Sequence, residues 1–91
     1  MQSVNARWQI RTKNRLTGDV LHTTEMPQLL MAMRGLPRYE SCMFRAEGSS
    51  DVLDRYTTRD QARQGHALLV EQLLNSHQGS QILVTDERLV G

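Results

Sequence analysis

The chain has 91 residues, of which 38% are hydrophobic and 23% charged, and a formal net charge of +1 at pH 7. That length allows one domain, residues 1–91, and the composition is globular rather than disordered or fibrous. The longest unbroken apolar run, Leu29–Met33, is far too short to cross a bilayer. No charged-then-apolar leader begins at Met1, and the lone cysteine, Cys42, excludes an internal disulfide and fits a reducing cytoplasm.

Ala6 to Thr12 alternates, with Trp8 and Ile10 on one side and Arg7, Gln9 and Arg11 on the other, which predicts a half-buried strand. The outward parity continues through Lys13 and Arg15 as a basic stripe. Asn14 to Asp19 carries turn chemistry, and Val20 to Thr24 supplies a second strand that closes a hairpin. A helix is predicted from about Glu25 to Arg34, with Thr24 as its cap, Glu25 and Pro27 in its first turn, and Leu29, Leu30 and Met33 on its inner side. Gly35 and Pro37 stop it.

Tyr39 to Ala46 and Val52 to Thr57 read as a second hairpin around Gly48-Ser49-Ser50-Asp51. Phe44 marks the inward face of the first of these strands, which places Glu40 and Cys42 there too, with Cys42 an inert packing residue. Thr58 and Gln61 form a capping box, and Asp60 adds negative charge in the first turn of the helix they open. Ala62, His66, Leu69 and Leu73 give that helix an apolar stripe, widened by Val70 and Leu74, to about Asn75 or Ser76. Gly79 and Ser80 break the chain before a short strand, Ile82 to Thr85. The predicted fold is α+β, in the order ββαββαβ, a small antiparallel sheet with two helices on one face. Its other face is open, or offered to a second copy, and homo-oligomerisation is expected.

Few residues carry obvious chemistry. His22, His66, His77 and Cys42 show no metal-ligand spacing, and neither a metal nor another cofactor is expected. No phosphate loop is present, and Asp86 and Glu87 are adjacent, so in a strand they point opposite ways. Enzymatic activity is not expected. His66, on the apolar stripe, reads as a core histidine packed beside an aromatic and bonded to backbone. Gly65 before it costs roughly 1 kcal/mol in a helix interior, so it marks a close approach by a strand or a second subunit. With Leu69 and Leu73, the pair makes a packing or interface surface.

The basic residues are ten Arg and one Lys, and they are concentrated early: residues 1–45 carry a net +4 and residues 46–91 a net −3. Arginine forks match phosphate and carboxylate oxygens. Arg38, Tyr39, Arg45, Arg55 and Tyr56 around the second hairpin, extended by Arg7, Arg11, Lys13 and Arg15, form the candidate binding patch, with guanidiniums on phosphate and rings on a base. The alternative reading makes the tyrosines cross-strand core partners and the arginines a solvated face.

The passage Tyr39-Glu40-Ser41-Cys42-Met43-Phe44, then Arg55-Tyr56-Thr57-Thr58 through Ala62 to Gly65-His66, resembles a pattern common in small phage and prophage proteins. The matching positions are Tyr39, Glu40, Phe44, Tyr56, Thr58, Ala62, Gly65 and His66; Cys42 departs from it. The pattern also bears a distant resemblance to the Thoeris anti-defence sponges, oligomers that sequester cyclic nucleotide signals. The resemblance spans less than a third of the chain and carries over no ligand contacts. It implies a non-enzymatic accessory protein acting in the host bacterial cytoplasm, sequestering an anionic, nucleotide-like signal in a pocket between subunits. The alternatives are a protein–protein inhibitor of a host defence effector, of anti-CRISPR type, and a small nucleic-acid-binding regulator. The near-neutral total charge disfavours the last, and no membrane partner is expected.

Overall fold

The computed structural model describes residues 7–74 and 82–90. Five strands form one antiparallel sheet: β1 (Arg7–Asn14), β2 (Val20–Glu25), β3 (Tyr39–Phe44), β4 (Ser50–Tyr56) and β5 (Leu83–Val90). Their spatial order is β4-β3-β2-β1-β5, so the last strand returns to lie beside the first. Two helices, α1 (Gln28–Met33) and α2 (Arg59–Leu69), complete an α+β fold in the order ββαββαβ.

Period-two alternation decides which side of each strand is buried. Trp8, Ile10, Thr12 and Asn14 of β1 face inward, as do Leu21, Thr23 and Glu25 of β2 and Tyr39, Ser41 and Met43 of β3. Helix α2 lies across β2, β3 and β4 on that side. Its start is as the sequence predicts: Thr58 accepts from the Gln61 backbone N–H at 3.1 Å, and the Gln61 side chain accepts from the Thr58 N–H at 3.3 Å. Ala62 and His66 are buried beneath it. The helix then widens into a π-helical turn over Val70–Leu74. The extra residue in that turn rotates the apolar stripe, so Leu69 and Val70 pack on Leu21 and Met43 while Leu73 stays 46% exposed. The predicted helix end near Asn75 or Ser76, His77 and the Gly79-Ser80 break lie outside the described residues.

Three expectations are corrected. Thr24 and Glu25 do not open a helix; they pair with Glu40 and Tyr39 as the end of β2. Helix α1 therefore starts later, behind Pro27 and without a side-chain cap, and it turns Met31 inward rather than Leu29, Leu30 and Met33. Second, Phe44 does not mark the inner face of β3. Tyr39 sets the parity instead, so Glu40, Cys42 and Phe44 lie on the open side of the sheet. Cys42 is therefore not a core residue, although burial and the nearby Glu40 raise its thiol to about 11 and leave it a protonated, weak nucleophile. Third, the last strand runs to Val90 because β1 offers a partner along its whole length, from Arg7↔Val90 to Asn14↔Leu83. Its Asp86-Glu87-Arg88 run is compatible with a strand at a sheet edge, where charge also discourages pairing with other chains.

Gly65 meets the expectation of a close approach. A methyl group built on it would stand 2.2 Å from the ring of Tyr56, so the helix touches the end of β4 through bare backbone. Gly65→Ala should lower stability by about 1–3 kcal/mol through overpacking, despite the higher helix propensity of alanine. Urea unfolding of this variant, alone and combined with Tyr56→Leu, checks the assignment: the two losses must be less than additive.

Candidate functional site

A run of hydrogen-bonded side chains crosses the interior beneath α2, one from each strand with the helix histidine in the middle. Tyr56 of β4 lies 3.0 Å from Ser41 of β3, and Ser41 contacts Thr23 of β2. Thr23 is 2.7 Å from His66 Nδ1, while His66 Nε2 is 2.8 Å from Thr12 of β1. Thr12 is in turn 2.8 Å from Thr85 of β5. All but Thr85 are buried. The core histidine expected from the sequence is there, but hydroxyls rather than backbone satisfy it.

The chain has a direction. The buried phenol of Tyr56 has one partner, Ser41, so its O–H donates there. Ser41 then donates to Thr23, and Thr23 to His66 Nδ1. The imidazole is neutral, because burial, helped by His22, holds its pKa down to about 4. Its single proton therefore sits on Nε2 and is donated to Thr12, and Thr12 donates to Thr85. In this order Thr85 accepts from Thr12, and its own O–H is committed to no described partner.

Thr85 opens onto a cleft of about 330 Å3 between α2 and strands β1 and β5. Ile10, Ala67 and Val70 line it with apolar surface, Thr12 and His66 stand at its back, and Arg63 and Glu87 form its rim. Glu87 Oε2 accepts from Trp8 Nε1 at 2.8 Å and from Arg63 Nε and Nη2 at 3.0 and 2.8 Å. The Arg63 hydrogen bonds, then that from Trp8, hold the Glu87 carboxyl below its ordinary range, so it is ionised at neutral pH. Its second oxygen takes none of these bonds. Arg63 also donates from Nη1 to Asp60 at 3.1 Å, which leaves two of its five N–H groups for another acceptor. Arg63 and Arg59 both lie 5.5 Å from the centre of the buried Trp8 ring. The cleft thus offers a donor at Thr85, an acceptor at Glu87 and a cation at its mouth.

The residues proposed from sequence as a binding patch do not gather. Tyr39 and Tyr56 pair across β3 and β4 and are both 8% exposed, as the core reading of them anticipates. Arg38 and the buried Glu25 form an ion pair at 3.2 Å, and Tyr39 donates to the same carboxylate. Arg45 pairs with Asp51 at the hairpin tip. Arg55 lies on the open face of the sheet with Glu40 at 3.6 Å, and Arg11 on that face two strands from β3. Sequence reasoning missed Thr12, Thr85, Arg63 and Glu87, although the inward parity of Thr12 on β1 was legible. Among the described residues no group of three or more His, Cys, Asp or Glu is gathered as a metal site would require, and no helix is long and apolar enough to cross a membrane.

No protein-family model, no curated protein and no solved structure matches the sequence.

The low pKa of His66 makes stability depend on pH with a definite sign. The unfolded chain takes up a proton near pH 6.5 and the folded chain only near 4, so this contribution is complete above 6.5 and is lost as pH falls toward 4. The expected loss is roughly 3 kcal/mol. His22, lowered by burial and by Arg11, acts in the same direction, so the measurement is the difference between wild type and His66→Gln in urea unfolding across that range. Equal pH slopes for the two proteins would contradict the buried neutral imidazole.

Proposed function

We propose that the protein is a non-enzymatic binder that sequesters a small, anionic, nucleotide-like molecule in the cleft between α2 and β5. The observation that carries this reading is the Thr85 hydroxyl at the exposed end of the buried series, beside Glu87 and above an apolar floor. A nucleobase edge presents an acceptor next to a donor on a flat apolar ring, which suits those three features together. A volume of about 330 Å3 is at the small end for ligand sites and suits one base with its sugar. Arg63 at the mouth stands where a phosphate would emerge, with two N–H groups to give.

Binding rather than turnover is favoured by the state of the reactive groups. Both nitrogens of His66 are engaged by hydroxyls, and the Cys42 thiol is protonated and on the opposite side of the sheet. The ligand class is the one implied by the resemblance to phage and prophage proteins, so sequestration of a host defence signal in a bacterial cytoplasm is the setting proposed. The cleft is built within one chain, and this reading needs no second subunit to complete it.

Thermal unfolding with a panel of mononucleotides, cyclic nucleotides and ADP-ribose derivatives tests the proposal. A ligand present at 100 times its Kd adds about 2.7 kcal/mol, which for a domain of this size raises Tm by on the order of 10 °C. Thr85→Val keeps the shape, removes the donor and should weaken binding about tenfold or more; Arg63→Gln should weaken only the phosphate-bearing ligands. If no nucleotide shifts Tm and one host protein co-purifies instead, the inhibitor reading replaces this one.

A further inference from the structure

The side of the sheet away from α2 is uncovered by any described element, and the strand register maps it in rows. One row runs Asp86, Arg11, His22, Cys42, Val52 across β5, β1, β2, β3 and β4. The next, toward the hairpin tips, runs Val84, Lys13, Val20, Phe44, Ser50. On the other side lies Arg88, Gln9, Thr24, Glu40, Arg55, with Arg7 and Val90 beyond it. The face carries five cations (Arg7, Arg11, Lys13, Arg55, Arg88) and two carboxylates, a net of +3 within a chain of net +1.

Those charges are not evenly matched. Arg55 is held by Glu40 and Arg88 by Asp86, at 3.6 and 3.1 Å. Arg7, Arg11 and Lys13 have no ion pair among the described residues, and all three are exposed on β1. Same-side residues two apart on a strand stand about 6.8 Å from one another, so Arg11 and Lys13 form a close pair with Arg7 further along the same line. Two strands away, about 10 Å across the sheet, Phe44 is 44% exposed, with the His22 ring tilted beside it at a centroid distance of 6.1 Å. A second copy of this chain would bring its own +3 against this one and be repelled. The complementary occupant is an extended polyanion with flat apolar groups on one side.

We infer that the open face of the sheet binds single-stranded nucleic acid, its phosphates along Arg7, Arg11 and Lys13 on β1 and its bases turned over β2 onto Phe44 and His22. A line of cations that tracks the backbone beside rings that stack on bases is the physical requirement for sequence-tolerant single-strand binding. The nearly neutral total charge hides this because the rest of the chain carries eight carboxylates against six cations, while Glu25 and Glu87 on the helix side are already held by Arg38, Arg59 and Arg63.

Titration of the full chain with a short labelled oligo(dT) at several salt concentrations tests the inference. Three neutralised phosphates give a slope of log K against log salt of about −2, and Arg11→Gln with Lys13→Gln should reduce it to about −0.7. Phe44→Leu, which keeps the position apolar, should weaken binding about tenfold while leaving the slope unchanged. Thr85→Val, on the other side of the sheet, should bind the oligonucleotide as wild type does, which separates this surface from the cleft. Absent binding, a slope unaffected by the double substitution, or equal affinity for oligo(dT) and a dextran sulfate that is indifferent to Phe44→Leu would each overturn it.

Discussion

Five strands and the long helix meet at the imidazole of His66, whose two nitrogens are each hydrogen-bonded to a threonine on a central strand. Hydroxyl groups are costly to bury without partners, at roughly 1–3 kcal/mol for each group left unsatisfied. Tyr56, Ser41, Thr23 and Thr12 can be buried together because each passes its proton to the next, and the ring accepts at one end and donates at the other. The apolar core flanks this line on both sides, with Trp8, Ile10, Tyr39, Tyr56 and Ala62 in one cluster and Leu21 with Met43 in another. A core divided by a polar seam specifies its register more sharply than a uniform apolar one, since sliding any strand by one residue breaks the series.

The same seam links packing to binding chemistry. Direction enters at Tyr56, where a phenol has a single buried acceptor, and it emerges at Thr85 as a donor facing the cleft. Arg63, Glu87 and Trp8 close the outer side of that cleft with ordinary surface and half-buried contacts. The guanidiniums of Arg59 and Arg63 on the Trp8 ring keep the indole 3% exposed while its N–H stays bonded to Glu87. Glu25 does the corresponding work on the β2 side of Trp8, accepting its backbone N–H and the Tyr39 hydroxyl beside Arg38.

Much of the architecture is legible in short-range pattern. The alternation around Trp8 and Ile10, the capping box at Thr58 and Gln61, and the out-of-place Gly65 each follow from local chemistry, and each has its counterpart in the structure. Pattern fails where two local rules compete. Thr24 and Glu25 satisfy the rules for a helix start, but pairing with Glu40 and Tyr39 and the demand of Arg38 for a carboxylate outweigh a cap worth about 1 kcal/mol. On β3 the aromatics Tyr39 and Phe44 have opposite parity, so one of them must face out. Gly65 has room only for a ring approaching from Tyr56, and Tyr56 pairs with Tyr39, which leaves Phe44 outside.

The sequence by itself determined the element order, the inward set of β1 and the start of the long helix, because those depend on residues within one or two turns of each other. It also determined an excess of arginine in the first half and the outward line of Arg7, Arg11 and Lys13 on β1, without saying what would stand over that face. Only the tertiary structure decided that Thr12, Thr23, Ser41 and Thr85 converge on His66, that Tyr39 and Tyr56 are interior, and that three cations of β1 are left together on an uncovered face. Those facts depend on strand order and register, which bring residues dozens of positions apart to hydrogen-bond distance, and no local pattern encodes a neighbour across a sheet.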